Sequence, residues 1–505
     1  YSTLKILGAS NQQRLTLHND RDPVRVANFT THEDLSVHRY VAGIKKNVVY
    51  TIRTCTCLVS QEILMSIRRL IGSILVAFFL PITLSVADEL DERIDTLYQE
   101  ELADLFLWLH QNPELSHMEH KTSDRLASEL EGLGYDVHRG IGGTGIVALL
   151  ENGEGPLVMF RADMDGLPVE EKSGLPYAST AKQIDWDGNE VSVMHACGHD
   201  VHVTSLVGTA KIMVERRGQW QGTLMLIGQP AEERVGGARL MREDNIWDRF
   251  GQPDYAMALH VTSSVPTGML IADPAPYSGA DTVDILIKGV GAHGASPHSG
   301  VDPVLLGSQI VVALQSVVSR SLPPRRPGVI TVGSFHSGTK HNIISDAAKL
   351  QITVRSESVA DRALLLDGIK RVAENAGRMM GLSGDMLPEV VVYENEGVPP
   401  TLNDIAMLER VRGVWTDSLG EGIFYNQQRL AMGAEDFPFF TVDPYIPSVY
   451  FAVGGTDQAD FDRAAAGGPP VASHHSPLFK IVPEPSVELG VKASVTGLID
   501  LLQNL

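Results

Sequence analysis

Three short apolar runs each end at a carboxylate or an imidazole, and helical sequence lies between them. Leu157-Val158-Met159-Phe160 precedes Arg161-Ala162-Asp163, and Thr223-Leu224-Met225-Leu226-Ile227 precedes Gln229-Pro230-Ala231-Glu232. Tyr255-Ala256-Met257-Ala258-Leu259 ends at His260. Apolar runs of this length without polar alternation belong to strands buried on both faces. Val201 to Glu215 reads as a helix between two of them. Residues 90–137 also read as helical, with Ile94, Leu97, Tyr98, Leu102, Leu105 and Leu109 at three- and four-residue spacing. Buried strands alternating with helices predict an α/β sheet whose ligands bind beyond the strand C-ends. The polar residues that close the three runs stand there.

The pattern changes between residues 279 and 394. A strand at Thr282–Lys288, a helix at Pro303–Ser319, strands at Val329–Phe335 and Lys349–Arg355, a helix at Ala360–Met380 and a strand at Glu389–Tyr393 follow one another. That βαββαβ order is the split-βαβ arrangement of a ferredoxin-like domain. Pro274 and Pro276 precede it and Pro399 and Pro400 follow it, which marks it as an insertion between residues 88–278 and 395–505.

The N-terminal part reads differently. Residues 1–64 show no sustained helical or strand period and are taken as upstream sequence without a domain. Met65-Ser66-Ile67-Arg68-Arg69, the apolar run Leu70 to Leu84 and the ending Ser85-Val86-Ala87 have the three regions of a secretory signal peptide, 65–87. A periplasmic or secreted protein is therefore expected. Removal of residues 1–87 takes away Cys55 and Cys57 and leaves Cys197 as the one remaining cysteine, so an internal disulfide is not expected. Lys and Arg number 41 against 62 Asp and Glu, a net charge of −21 that argues against nucleic acid or an anionic membrane as partner.

Met194-His195-Ala196-Cys197-Gly198-His199-Asp200 is the densest group of chemical side chains. One glycine between Cys197 and His199, just before a helix, lets thiolate and imidazole converge, and the helix dipole favours the thiolate. The Glu232-Glu233 pair follows a strand end; one carboxylate can bind metal while its neighbour moves protons. Alone, that pair is an acidic turn, Asp163 and Asp165 are another, and His260 and His475 are single histidines. Together they supply what a two-metal hydrolase needs.

Phe160 to Pro168, Met194 to Asp200 and Gln229 to Glu233 resemble motifs of the amidohydrolase branch of the zinc-dependent exopeptidases. That aminoacylase/carboxypeptidase group includes hippurate hydrolases, indoleacetyl-amino-acid hydrolases and N-acyl-amino-acid amidohydrolases. Gly291 to His298, Gly433 to Phe437 and His475-Ser476-Pro477 resemble its later motifs, in order. The resemblance spans about residues 90–505 and implies a mixed-sheet metallo-exopeptidase catalytic domain with an inserted ferredoxin-like dimerisation domain. It implies two divalent ions on Cys197, His199, Glu233, His260 and His475, with Glu232 as general base and Asp165 steadying the centre. It places His293 in the partner subunit's active site of a homodimer formed through residues 279–394, and Asn342 and Arg355 on the substrate carboxylate. His195, His202, His298 and His474 are left as structural. Thiolate and imidazole suit zinc, whereas carboxylates and an open position suit manganese, cobalt or nickel.

The implied activity is hydrolysis of N-acyl-amino acids. A dipeptidase or carboxypeptidase on the same scaffold and a non-catalytic secreted binding protein are the alternatives. Three positions depart from the branch: Arg234-Val235 follow the Glu pair in place of glycines, Gly166 stands where Ala is usual, and Ile352 where Gly is usual. They leave the ligand set intact and bear on the acyl pocket.

Overall fold

The computed structural model describes residues 4–9, 12–17, 26–29, 86–426 and 432–503. The chain divides after residue 82. In the first unit, strands Leu4–Ala9, Gln12–Leu17 and Val26–Phe29 form an antiparallel sheet, where the sequence shows no sustained period. Residues 65–85 of the expected signal segment lie outside the described residues, and its last two residues open the helix Val86–Leu97.

In the second unit a seven-stranded sheet carries the site. Its order is Leu270–Ile271, Ser448–Thr456, Tyr255–Pro266, Leu157–Asp163, Gly222–Gln229, Gly145–Asn152 and Asp136–Ile141. The four strands from Ser448–Thr456 to Gly222–Gln229 are parallel, and antiparallel strands close both edges. Successive side chains on a parallel strand go to opposite faces, and both faces here are covered. Val158, Phe160 and Ala162 enter the core beneath helices Val86–Leu97, His199–Glu215 and Pro483–Leu501, while Met159 enters a second core with Met225, Ile227 and Ala258. This two-sided burial is why the strands read as unbroken apolar runs.

Two expectations change. Residues 90–137 are not one helix: Ala103–Gln111 stops before Pro113, a loop follows, His120–Gly132 resumes, and Asp136 begins a strand. Proline disfavours helix in the residue before it, and Gly134 takes a left-handed φ of 86°. His260 does not end its strand, which runs on to Pro266 because its partner Ser448–Thr456 continues the pairing.

The insertion has the expected βαββαβ order. Strands Gly279–Lys288, Gly328–Ser337, Ala347–Ser356 and Glu389–Val392 form a four-stranded antiparallel sheet in the order second, third, first, fourth. Helices Pro303–Ser316 and Val359–Met379 cover one face over Val283, Ile285, Leu350 and Ile352. Ile352 is thus a core residue of this sheet. On its first strand Asp281 is bonded to Arg362, and Asp284 accepts from Tyr393 and pairs with Lys349.

Candidate metal centre

Elements from three parts of the chain meet at the C-terminal side of the parallel strands. Asp163 ends one strand and Asp165 follows it; Gln229 ends the next, with Glu232 and Glu233 in the turn beyond. Cys197 and His199 flank Gly198 at the start of the helix His199–Glu215. Gly198 has a φ of 85°, and a Cβ there would lie 2.4 Å from Val261 Cγ1, so only glycine permits this approach to the His260 strand. His475 is brought in by a loop whose backbone N–H donates to the Ala196 carbonyl at 2.9 Å, with φ at 64°.

The side chains converge on one another. Cys197 Sγ is 3.5 Å from His260 Nε2, and His475 Nε2 is 3.3 Å from Glu233 Oε2. His199 Nε2 faces Glu233 Oε1 at 3.9 Å and Glu232 Oε2 at 4.0 Å. Three overlapping groups, Cys197–His199–His260, Cys197–Glu233–His475 and His199–Glu232–Glu233, each hold ligand atoms within 4.8 Å of one another. His199 Nε2 and Glu233 Oε1 are buried without a hydrogen-bond partner among the described residues. Buried polar atoms are otherwise almost always satisfied, so these lone pairs fit a cation. The His260 tautomer agrees: its Nδ1–H donates to the Val261 carbonyl at 2.5 Å, leaving the Nε2 lone pair toward Cys197.

Asp165 organises the turn. Its carboxylate accepts from the backbone N–H groups of Glu232 (3.1 Å) and Glu233 (3.0 Å) and from Ser116 Oγ (2.6 Å), and lies 3.4 Å from His199 Nδ1. His202 has both nitrogens committed, Nδ1 with Asp163 at 2.5 Å and Nε2 accepting from the Val261 N–H at 2.8 Å. Although Asp163, His199 and His202 also lie close together, this pairing leaves His202 no lone pair for a metal, and it anchors the backbone beside His260. His195 joins none of these groups, and His298 is exposed in the insertion.

Negative charge dominates the centre. Burial, then Glu435 and Glu233, push the Glu232 carboxyl well above the usual range. Burial, then Glu233 and Glu232, do the same to the Cys197 thiol. His199 is raised to about 10 because Asp163, Asp165 and Glu233 outweigh its burial. Bound cations would relieve these same groups together.

The inserted-domain residues stand apart. His293 and Asn342 are exposed and Arg355 is half-buried, and none is hydrogen-bonded to the cluster among the described residues. Two features escaped the sequence reading. Glu435 and Asp436, recognised only as part of a motif, hold the buried Arg161, whose guanidinium also reaches Asp163. His474, left as structural, places Nδ1 3.6 Å from Cys197 Sγ. The doubled histidine was the available signal.

The model of Peptidase family M20/M25/M40 matches residues 159–483. The chain belongs to this family. It is 34% identical over 351 residues to thermostable carboxypeptidase 2 of Saccharolobus solfataricus, covering 68% of this chain and 84% of that protein. It is 34% identical over 337 residues to the hippurate hydrolase of Campylobacter jejuni, covering 66% and 82%. A solved dinuclear metal-binding peptidase of family M20 from Bacillus subtilis superposes with a TM-score of 0.65 at 25% identity, covering 81% of this chain and 99% of that one. This M20 chain is a metal-dependent hydrolase of amide C–N bonds, and its resemblance to the amidohydrolase branch holds.

Proposed function

We propose that this M20 hydrolase cleaves N-acyl-amino acids to a carboxylic acid and a free amino acid. The observation that carries the reading is the buried Glu232 beside Glu233, with its Oε2 4.0 Å from the orphaned His199 Nε2. Cys197, His199, Glu233, His260 and His475 would hold two divalent ions, manganese or zinc, with cobalt or nickel also compatible with the donors. Such ions polarise an acyl carbonyl and bring the pKa of a water to about 7. Glu232 takes the proton from the attacking water and returns it to the departing amine. Asp165 keeps that carboxylate in place through the backbone N–H groups of Glu232 and Glu233.

The insertion would supply the remaining contacts. His293 Nδ1 accepts from the Ala295 N–H at 3.0 Å, so its neutral ring carries a proton on the exposed Nε2, a donor for the carbonyl oxygen of a partner subunit's substrate. Among the described residues the Arg355 guanidinium has one hydrogen bond, donated to the Val354 carbonyl at 3.4 Å, and with Asn342 would bind the substrate carboxylate. Val304, Leu305 and Val312 are 43%, 47% and 74% exposed on one inserted-domain helix, and the strand Gly328–Ser337 is a sheet edge; both support a homodimer through 279–394. The 65–87 segment supports export to the periplasm or medium.

The test is amine release by the purified chain from N-benzoyl-, N-acetyl- and indoleacetyl-amino acids and from dipeptides, with added metal and with chelator. Chelator-sensitive cleavage of acyl-amino acids is expected. Cleavage of dipeptides alone would move the activity toward that of the carboxypeptidase relative. No turnover with metal bound would favour a binding protein. Glu232→Gln should retain metal by elemental analysis and lose nearly all turnover; activity near that of the unmodified chain would reject its role.

A further inference from the structure

His474 and His475 are neighbours in sequence and face different partners. His475 directs Nε2 to Glu233, whereas His474 directs Nδ1 to Cys197 Sγ at 3.6 Å. The other nitrogen of His474, Nε2, accepts the Ser263 backbone N–H at 3.3 Å. A ring nitrogen that accepts an N–H carries no proton, so the proton of the neutral ring is on Nδ1, the atom facing sulfur. The ring is held in that attitude by contact with His260 (centroids 5.3 Å apart) and Phe479 (4.9 Å). Ser263 belongs to the same strand as His260, so one strand fixes both the ligand imidazole and the tautomer of its neighbour.

We propose that His474 is a positioning residue that donates its Nδ1–H to the Cys197 thiolate and tunes it as a metal ligand. The proposal rests on the reading of Cys197 as a ligand. His474 has no lone pair left to bind metal itself, since one nitrogen is protonated and the other accepts from Ser263. An N–H donated to a thiolate draws charge from sulfur, lowers the energy of its lone pairs and fixes the side-chain torsion that aims Sγ beside His260. Two adjacent histidines thereby divide the work: His475 faces the metal-site carboxylate, and His474 holds the thiolate that completes the set.

The test uses the full chain loaded with cobalt(II), in four forms: unmodified, His474→Asn, His474→Gln and His474→Leu. The Asn amide N–H falls near the place of Nδ1–H, whereas the Gln amide falls near Nε2. Three quantities are read: bound metal per chain, the thiolate-to-cobalt charge-transfer band, and the rate of metal loss to a chelator. All four forms should bind the same amount of cobalt. The Gln and Leu variants should shift the band to lower energy and lose metal on the order of tenfold faster, as removal of partners of metal ligands commonly does. The Asn variant should stay near the unmodified protein in both.

Loss of one metal equivalent in all three variants would make His474 a ligand and overturn the proposal. Unchanged band and release rate in the Leu variant would reduce His474 to packing and overturn it as well. Absence of the band in the unmodified, cobalt-loaded protein would instead remove Cys197 from the ligand set, and the proposal with it.

Discussion

Arg161 is fully buried and donates to Gln229 (2.7 Å), Asp163 (2.7 Å) and Glu435 (2.8 Å), with Asp436 at 3.3 Å. Asp163 in turn holds His202, and His202 accepts the backbone N–H next to His260. The guanidinium is thus the counter-charge for three carboxylates and the start of a chain of contacts that ends beside His260. Removing one partner of a buried ion pair leaves the others unpaired, so Arg161→Met should cost about 3–5 kcal/mol, read as a lower urea midpoint. Arg161→Lys should recover part of it, because an ammonium cannot span Gln229, Asp163 and Glu435 at once. A midpoint unchanged in the Met variant would show that the network contributes nothing. At this scale the sequence exposed Cys197, His199 and Glu233, since each stands just beyond a strand end or at a helix start with a chemically distinctive neighbour; His260, inside its strand, was marked only as the polar residue that closes an apolar run. The family resemblance set His475 among the ligands and His474 among the structural histidines, but the residues themselves gave no reason: two identical neighbours are told apart in the fold by a left-handed φ at His475 and by Ser263, far away in sequence.

Between elements, the helices Val86–Leu97 and Pro483–Leu501 bring Asp91, Asp95, Glu484 and Glu488 together. Burial first, then Asp95, Glu484 and Asp91, raise the Glu488 carboxyl to about 7 from its ordinary 4.5. A raised carboxyl binds its proton more tightly in the folded chain, so its contribution is fully present below about 4.5 and is lost as pH rises through 7. Glu488→Gln, neutral throughout, should melt higher than the unmodified chain near pH 8, with the gap closing by about pH 4.5. Equal melting temperatures across that range would show that the cluster is screened by solvent. The parallel strands were readable because burial on both faces leaves no alternation to mistake, and the insertion because its element order admits few sheets. The hairpin Asp136–Asn152 was hidden: Asp136, His138 and Arg139 are polar residues on an exposed edge strand, and the helical spacing that precedes them masked the change of period.

For the whole molecule, the arrangement of charge and the open insertion bear on how one site is completed. The cluster gathers candidate ligands from three stretches of the chain, while His293, Asn342 and Arg355 make no hydrogen bond to it among the described residues. A site that lacks its carbonyl donor within its own subunit would depend on a second copy, and a two-fold dimer offers that reciprocally, each insertion serving the other subunit. Dependence of this kind separates two defects that a self-sufficient subunit would keep together. On the proposed reading, Glu232→Gln would disable the site of its own subunit, and His293→Ala would disable the site of its partner. A mixed dimer of the two variants should therefore contain one site with both residues intact and one with neither. Each variant alone should be nearly inactive, and random re-pairing of equal amounts should restore about a quarter of the activity of the unmodified chain, half the dimers having one of two sites. The measurement is amine release before and after mixing under conditions that exchange subunits, with dimer content followed by light scattering. If the mixture stays inactive while exchange is complete, His293 acts within its own subunit, and the catalytic unit is a single chain.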